Sequence, residues 1–62
     1  MTEQEYQDAK AFVIDRGRVG LGWLQKHRRV SFATAWEMIQ RMEKEGVIVR
    51  EQDHTSWRWK VL

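Results

Sequence analysis

SFATAWEMIQRMEKEG, residues 31–46, carries a start signal, an apolar stripe and a stop signal, and so reads as one complete helix. Ser31 can cap the N-terminus by accepting a hydrogen bond from a free amide of the first turn. Ala35, Met38, Ile39 and Met42 follow the i, i+3, i+4, i+7 spacing that turns one face inward. Lys44 lies in the last turn, where the helix dipole favours a cation. Gly46 can adopt the left-handed conformation that ends a helix. The opposite face carries Ala33, Glu37, Gln40 and Lys44, with Thr34 and Arg41 beside it. Trp36 sits about 100° around from the stripe, at the boundary between core and surface.

Working outward, His27, Arg28, Arg29 and Val30 form a turn before this helix, with Val30 as a core anchor. A shorter helix is expected from about Leu21 to His27, with Leu21 and Leu24 inward. Gly22 weakens it by propensity, so tertiary packing must hold it. Arg18, Val19 and Gly20 are short and irregular, with a small strand against a later hairpin as one reading. Residues 2–16 read as a first helix, with Thr2 and Glu5 at capping-box spacing. Tyr6, Ala9, Phe12 and Val13 form its stripe, and Gly17 ends it. After Gly46 the period changes from 3.6 to 2. Val47, Ile48 and Val49 are β-branched and suit a strand. Gln52 to Ser56 is a polar loop. Trp57 to Val61 alternates, placing Trp57, Trp59 and Val61 on one face and Arg58 and Lys60 on the other.

The chain has 62 residues, one domain spanning 1–62 with a small core. It has no cysteine, which excludes disulfides and a cysteine-based zinc site. Four tryptophans, two phenylalanines and a tyrosine supply the buried area instead. No apolar run approaches the length of a membrane span. The acidic, polar N-terminus argues against a signal peptide, so a cytoplasmic protein is expected. Met1 reads as a natural start, so a whole gene product is expected over an excised domain. Net charge is +2 and the pI about 9.4. Residues 17–30 hold Arg18, Lys26, Arg28 and Arg29 with no acid, whereas residues 1–16 are net negative. A basic patch before a capped helix is a phosphate footprint or a solvated turn.

Two helices joined by a short turn, the second exposing a polar face and followed by a hairpin, match a winged helix-turn-helix: mainly α, three helices plus a two-stranded wing. At Tyr6, Ala9, Phe12-Val13, Val30-Ser31-Phe32, Ala35, Met38-Ile39, Met42-Glu43 and Gly46-Val47 the chain resembles the gamma domain of FtsK/SpoIIIE-type DNA translocases. The likeness runs from about Tyr6 to Ile48. The resemblance implies the winged-helix fold and double-stranded DNA as ligand. In that family the domain reads a G-rich sequence through the major groove and contacts a recombinase. The family's base-reading positions fall on Ala33, Thr34 and Glu37, where translocases carry Asn, Arg and Arg. Arginine donates two hydrogen bonds to guanine O6 and N7; none of these three residues can. The resemblance therefore does not carry the translocase's target sequence, and these 62 residues hold no motor sequence.

The expected interface places Ala33, Thr34, Glu37 and Arg41 toward base edges. Ala33 and the Thr34 methyl could pack on a thymine methyl, and Glu37 could accept from a cytosine amine. Lys26, Arg28, Arg29, Lys44, Arg50, Arg58 and Lys60 would hold phosphates, positioning the protein without specifying sequence. Glu37 and Arg41 also make an ordinary i, i+4 pair on a solvated face. Trp23 and Trp36 are either core-edge residues or exposed anchors for a protein partner. His27 and His54 are too far apart to argue a metal site. No cofactor is implied, and no nucleophile or phosphate-loop pattern points to an enzyme. Two functions follow: a DNA-binding regulator, phage- or plasmid-borne and acting as monomer or homodimer, or a protein-interaction module or inhibitor that no longer reads DNA.

Overall fold

The structure, a computed structural model, describes residues 1–51 and 58–62. Helix α1 spans Glu3–Arg16. The Thr2 hydroxyl accepts from the Glu5 amide at 3.1 Å, which is the Thr2 half of the expected capping box. Gly17, at φ 86°, closes the helix through its N–H to the Val13 carbonyl. Tyr6, Ala9 and Val13 are buried. Phe12, expected in the same stripe, is only half-buried because it stacks on Trp23 at 5.3 Å between ring centroids.

Helix α2, Leu21–Arg28, starts at Gly20 without a side-chain cap. It depends on packing: Leu24 is buried, while Leu21 and Trp23 are half-buried against the core. Helix α3 spans Phe32–Lys44. Ser31 accepts from the Thr34 amide at 3.2 Å, as its capping role requires. The four stripe residues Ala35, Met38, Ile39 and Met42 are all buried. At the other end Gly46, at φ 78°, donates to Glu43, and Val47 donates to Met42. Those two bonds are the Schellman pattern that satisfies the last carbonyls of a helix.

Strands β1 (Arg18–Gly20), β2 (Ile48–Arg50) and β3 (Arg58–Val61) form one antiparallel sheet in the order β1-β3-β2. The expected two-stranded wing thus gains a third strand. Arg18-Val19-Gly20, which reads locally as irregular, pairs with Lys60-Trp59-Arg58. The alternation in β3 holds for the described residues: Trp59 is buried and Val61 half-buried, while Arg58 and Lys60 are exposed. Trp57, His54 and the expected Gln52–Ser56 loop lie outside the described residues.

Every element contributes to one core: Tyr6, Ala9 and Val13 from α1, Val19 from β1, Leu24 from α2, the α3 stripe, Ile48 from β2 and Trp59 from β3. Val30 and Trp36 pack against it, half-buried. Among the described residues no charged side chain is buried. The fold is a winged helix, and it leaves the outer face of α3 uncovered. Ala33, Glu37, Gln40 and Lys44 are all exposed.

Candidate nucleic-acid interface

The outer face of α3 is shaped by how its first turn is capped. The Ser31 hydroxyl donates to the Thr34 hydroxyl at 3.1 Å while accepting from the Thr34 amide. Thr34 is half-buried, with its hydroxyl oxygen accepting from Ser31. Ala33 is exposed beside it. Glu37, one turn on, is exposed and makes no ion pair among the described residues. Its carboxylate can only accept, the property that a cytosine amine would use.

Arg41 stands differently from its expected place among the base-facing residues. Its guanidinium carbon lies 3.9 Å from the centroid of the Tyr6 ring. It pairs with Glu3 at 2.9 Å and with Glu45 at 3.4 Å. The expected partner, Glu37, is passed over because Tyr6 and Glu3 on α1 offer both a ring face and a carboxylate. The Tyr6 hydroxyl donates to Glu45, which Lys10 also approaches at 3.3 Å. Burial, followed by that bond to a carboxylate, holds the Tyr6 hydroxyl well above its ordinary range. The same bond, with Lys10, holds the Glu45 carboxyl below its own. The hydrogen bond from Arg41 likewise lowers Glu3. Arg41 therefore clamps α3 to α1, and the outward face keeps Ala33, Thr34 and Glu37.

The expected phosphate contacts fall in two groups with one outlier. Lys26, Arg28 and Arg29 end α2 and lead into α3; Lys26 and Arg29 are exposed and Arg28 half-buried. Arg50, Arg58 and Lys60 lie on the wing strands and are exposed. Lys44 is exposed at the far end of α3, roughly 16 Å along the axis from Ala33. Among the described residues, none of Lys26, Arg28, Arg29, Lys44, Arg58 and Lys60 is in an ion pair. Arg29 holds a left-handed backbone, φ 52° and ψ 47°, at the end of α2.

Two residues beyond the expected set belong here. Arg18 faces Lys60 directly across the β1–β3 pair, and like charges opposite one another destabilise a sheet. The pairing partner is far along the chain, so only the topology reveals it. Phe32, the first residue of α3, is 58% exposed. With Leu21, Trp36 and Arg58 it lines a groove of about 650 Å³.

Trp23 and Trp36 are both half-buried. Trp23 stacks between Phe12 and His27, whose centroids lie 5.3 and 4.8 Å away. Trp36 meets Trp59 of β3 edge-on at 6.2 Å. Both rings are engaged within the fold and keep part of their surface in solvent. No helix among the described residues is long and apolar enough to cross a membrane.

Comparison with known proteins agrees with this geometry. The model of the Ftsk gamma domain family matches residues 1–62, the whole chain. No curated protein sequence matches. Among solved structures, a MarR family protein from Bacillus stearothermophilus superposes with a TM-score of 0.76 at 22% identity. That alignment covers 100% of this chain and 44% of the other, so the chain spans less than half of that protein's length. At this identity the likeness speaks to the winged-helix fold.

Proposed function

The chain belongs to the FtsK gamma domain family of winged-helix DNA-binding domains, and from that membership we propose that it binds double-stranded DNA with α3 in the major groove. The observation that carries this reading is the outer face of α3. It is uncovered, and it is bracketed by cations, of which Lys26, Arg28, Arg29, Arg58 and Lys60 are in no ion pair among the described residues. In a helix-turn-helix the second helix meets base edges while the turn and wing grip phosphates. Lys26, Arg28 and Arg29 on one side and Arg50, Arg58 and Lys60 on the other supply that grip.

The target differs from the G-rich sequence of the translocases, because Ala33, Thr34 and Glu37 cannot donate two hydrogen bonds to guanine. Occupancy of a site is then the action, the role of a small regulator, without catalysis or cofactor. A salt titration against pooled genomic and random duplexes tests the reading. Five or six phosphate contacts predict a slope of log K against log salt near −5. Absence of binding to any duplex at low salt would overturn it.

A further inference from the structure

We infer that Phe32 is a specificity-determining residue that contacts the C5-methyl group of thymine; the inference rests on the DNA-binding reading above. Phe32 opens α3 directly after its cap and leaves 58% of its surface in water. The fold does not need this ring there. Ser31 already caps the helix, and the stripe from Ala35 to Met42 already fills the core. The recognition helix of a helix-turn-helix reads base edges with its N-terminal residues, and Phe32 is the first of them.

Beside the Phe32 ring stand the Ala33 methyl and the Thr34 side chain, whose hydroxyl oxygen accepts from the Ser31 hydroxyl. In the major groove only one base-edge group is itself apolar, the thymine methyl. The setting suits a polyanion. Arg28 and Arg29 lead into Phe32, and Arg58 stands across the groove, whose lining includes no acid. An acceptor-only Glu37 one turn later adds cytosine and leaves guanine unread. The site is therefore built around thymine methyls, in contrast to an arginine-read guanine tract.

The test begins with a preferred site selected from a random duplex pool. The same duplex is then made with uracil for thymine, position by position, which deletes methyl groups and nothing else. Wild-type protein should bind one such duplex about fourfold more weakly per methyl removed. Phe32→Ala should lose the discrimination between thymine and uracil at the position its ring contacts, while keeping its salt slope because no phosphate contact is removed. Its circular dichroism and thermal midpoint should stay near wild type, since the ring is mostly in water. Phe32→Leu should restore part of the difference. Wild-type protein that binds pooled DNA but treats thymine and uracil alike would overturn the inference and leave DNA binding standing. Retained methyl sensitivity in Phe32→Ala would overturn the assignment to Phe32. So would a concentration-dependent dimer, seen by sedimentation, that Phe32→Ala abolishes. No binding to any duplex overturns this inference and the reading beneath it together.

Discussion

Arg29 holds φ 52° and ψ 47°, alone among the described non-glycine residues in having a positive φ. A left-handed backbone costs an L-residue roughly 1–2 kcal/mol, and glycine is the usual occupant where a helix ends this way. Gly17 and Gly46 fill the corresponding places after α1 and α3. On the proposed DNA-binding reading, an arginine at such a place is accounted for by its charge, exposed in the turn before α3. Arg29→Gly should therefore raise stability by up to about 1 kcal/mol, the relief being partly offset by the greater freedom of glycine in the unfolded chain. It should also weaken DNA binding and flatten the salt slope by about 0.9, the loss of one phosphate contact. Arg29→Ala keeps the strain and removes the charge, so it should show the binding loss without the gain in urea midpoint. Unchanged affinity and slope in both variants would remove Arg29 from the phosphate-binding set.

Between elements, the α1–α3 clamp gives the fold a dependence on pH. The folded-state pKa of Glu45 is depressed below the ordinary 4.5, first by the Tyr6 hydroxyl and then by Lys10. A depressed carboxyl contributes stability that is present above the unfolded value and lost as pH falls through the folded one. Tyr6→Phe removes the donor, so the stability gap between wild type and variant should be full at pH 7 and should close below pH 4.5, as urea titrations at several pH values would show. Tyr6 itself is raised above its ordinary 10.0, so its contribution is present below that value and falls as pH rises past it. The variant should lack that alkaline loss as well. Helix α2 yields a second prediction. A Cβ at Gly22 would meet nothing within 4 Å. Gly22→Ala should therefore stabilise the helix by about 0.5–1 kcal/mol, visible as a rise of a few degrees in thermal midpoint. No rise would mean that α2 gains its helicity wholly from packing. The elements differ in how far their sequence announces them. Cap, stripe and stop in α3 are local signals, each within one turn of the residue it governs, and all three are found where the sequence puts them. Strand β1 is legible only as one reading, a small strand against the hairpin, because its hydrogen bonds go to β3, some forty residues on; the register that puts Arg18 opposite Lys60 is not legible. Arg41 has Glu37 and Glu45 at equal spacing along its helix, and only the docking of α1 decides for Glu45 and Glu3. Phe32 lies about 60° from the stripe's Ala35 on a helical wheel and reads as core flank. Its exposure follows from standing at the helix start, beyond the elements that cover the rest of that flank.

At the scale of the whole molecule, stability converges on Trp59. Its strand is the centre of the sheet, and Trp59 lies opposite Val19 on one side and Arg50 on the other. The side chain is 1% exposed and meets Trp36 of α3 edge-on. It therefore joins β1, β2 and α3 and helps to set the orientation of α3 relative to the wing. A domain of 62 residues holds a total stability of roughly 3–9 kcal/mol. Truncating a buried tryptophan to alanine costs about 3–5 kcal/mol, a large share of that total. Trp59→Ala should therefore lose most of its helical circular dichroism by 37 °C. Trp59→Phe, which keeps an aromatic ring against Trp36 and leaves a smaller void, should stay folded with a lowered midpoint. DNA affinity should follow the folded fraction in Trp59→Ala. In Trp59→Phe it should fall further than stability alone explains, because a shifted wing no longer presents Arg50, Arg58 and Lys60 in register with α3. A Trp59→Ala protein that unfolds cooperatively within 1 kcal/mol of wild type would show that the helices hold together without the sheet. The wing would then be an appendage, and the coupling between α3 and its phosphate contacts would have to lie elsewhere.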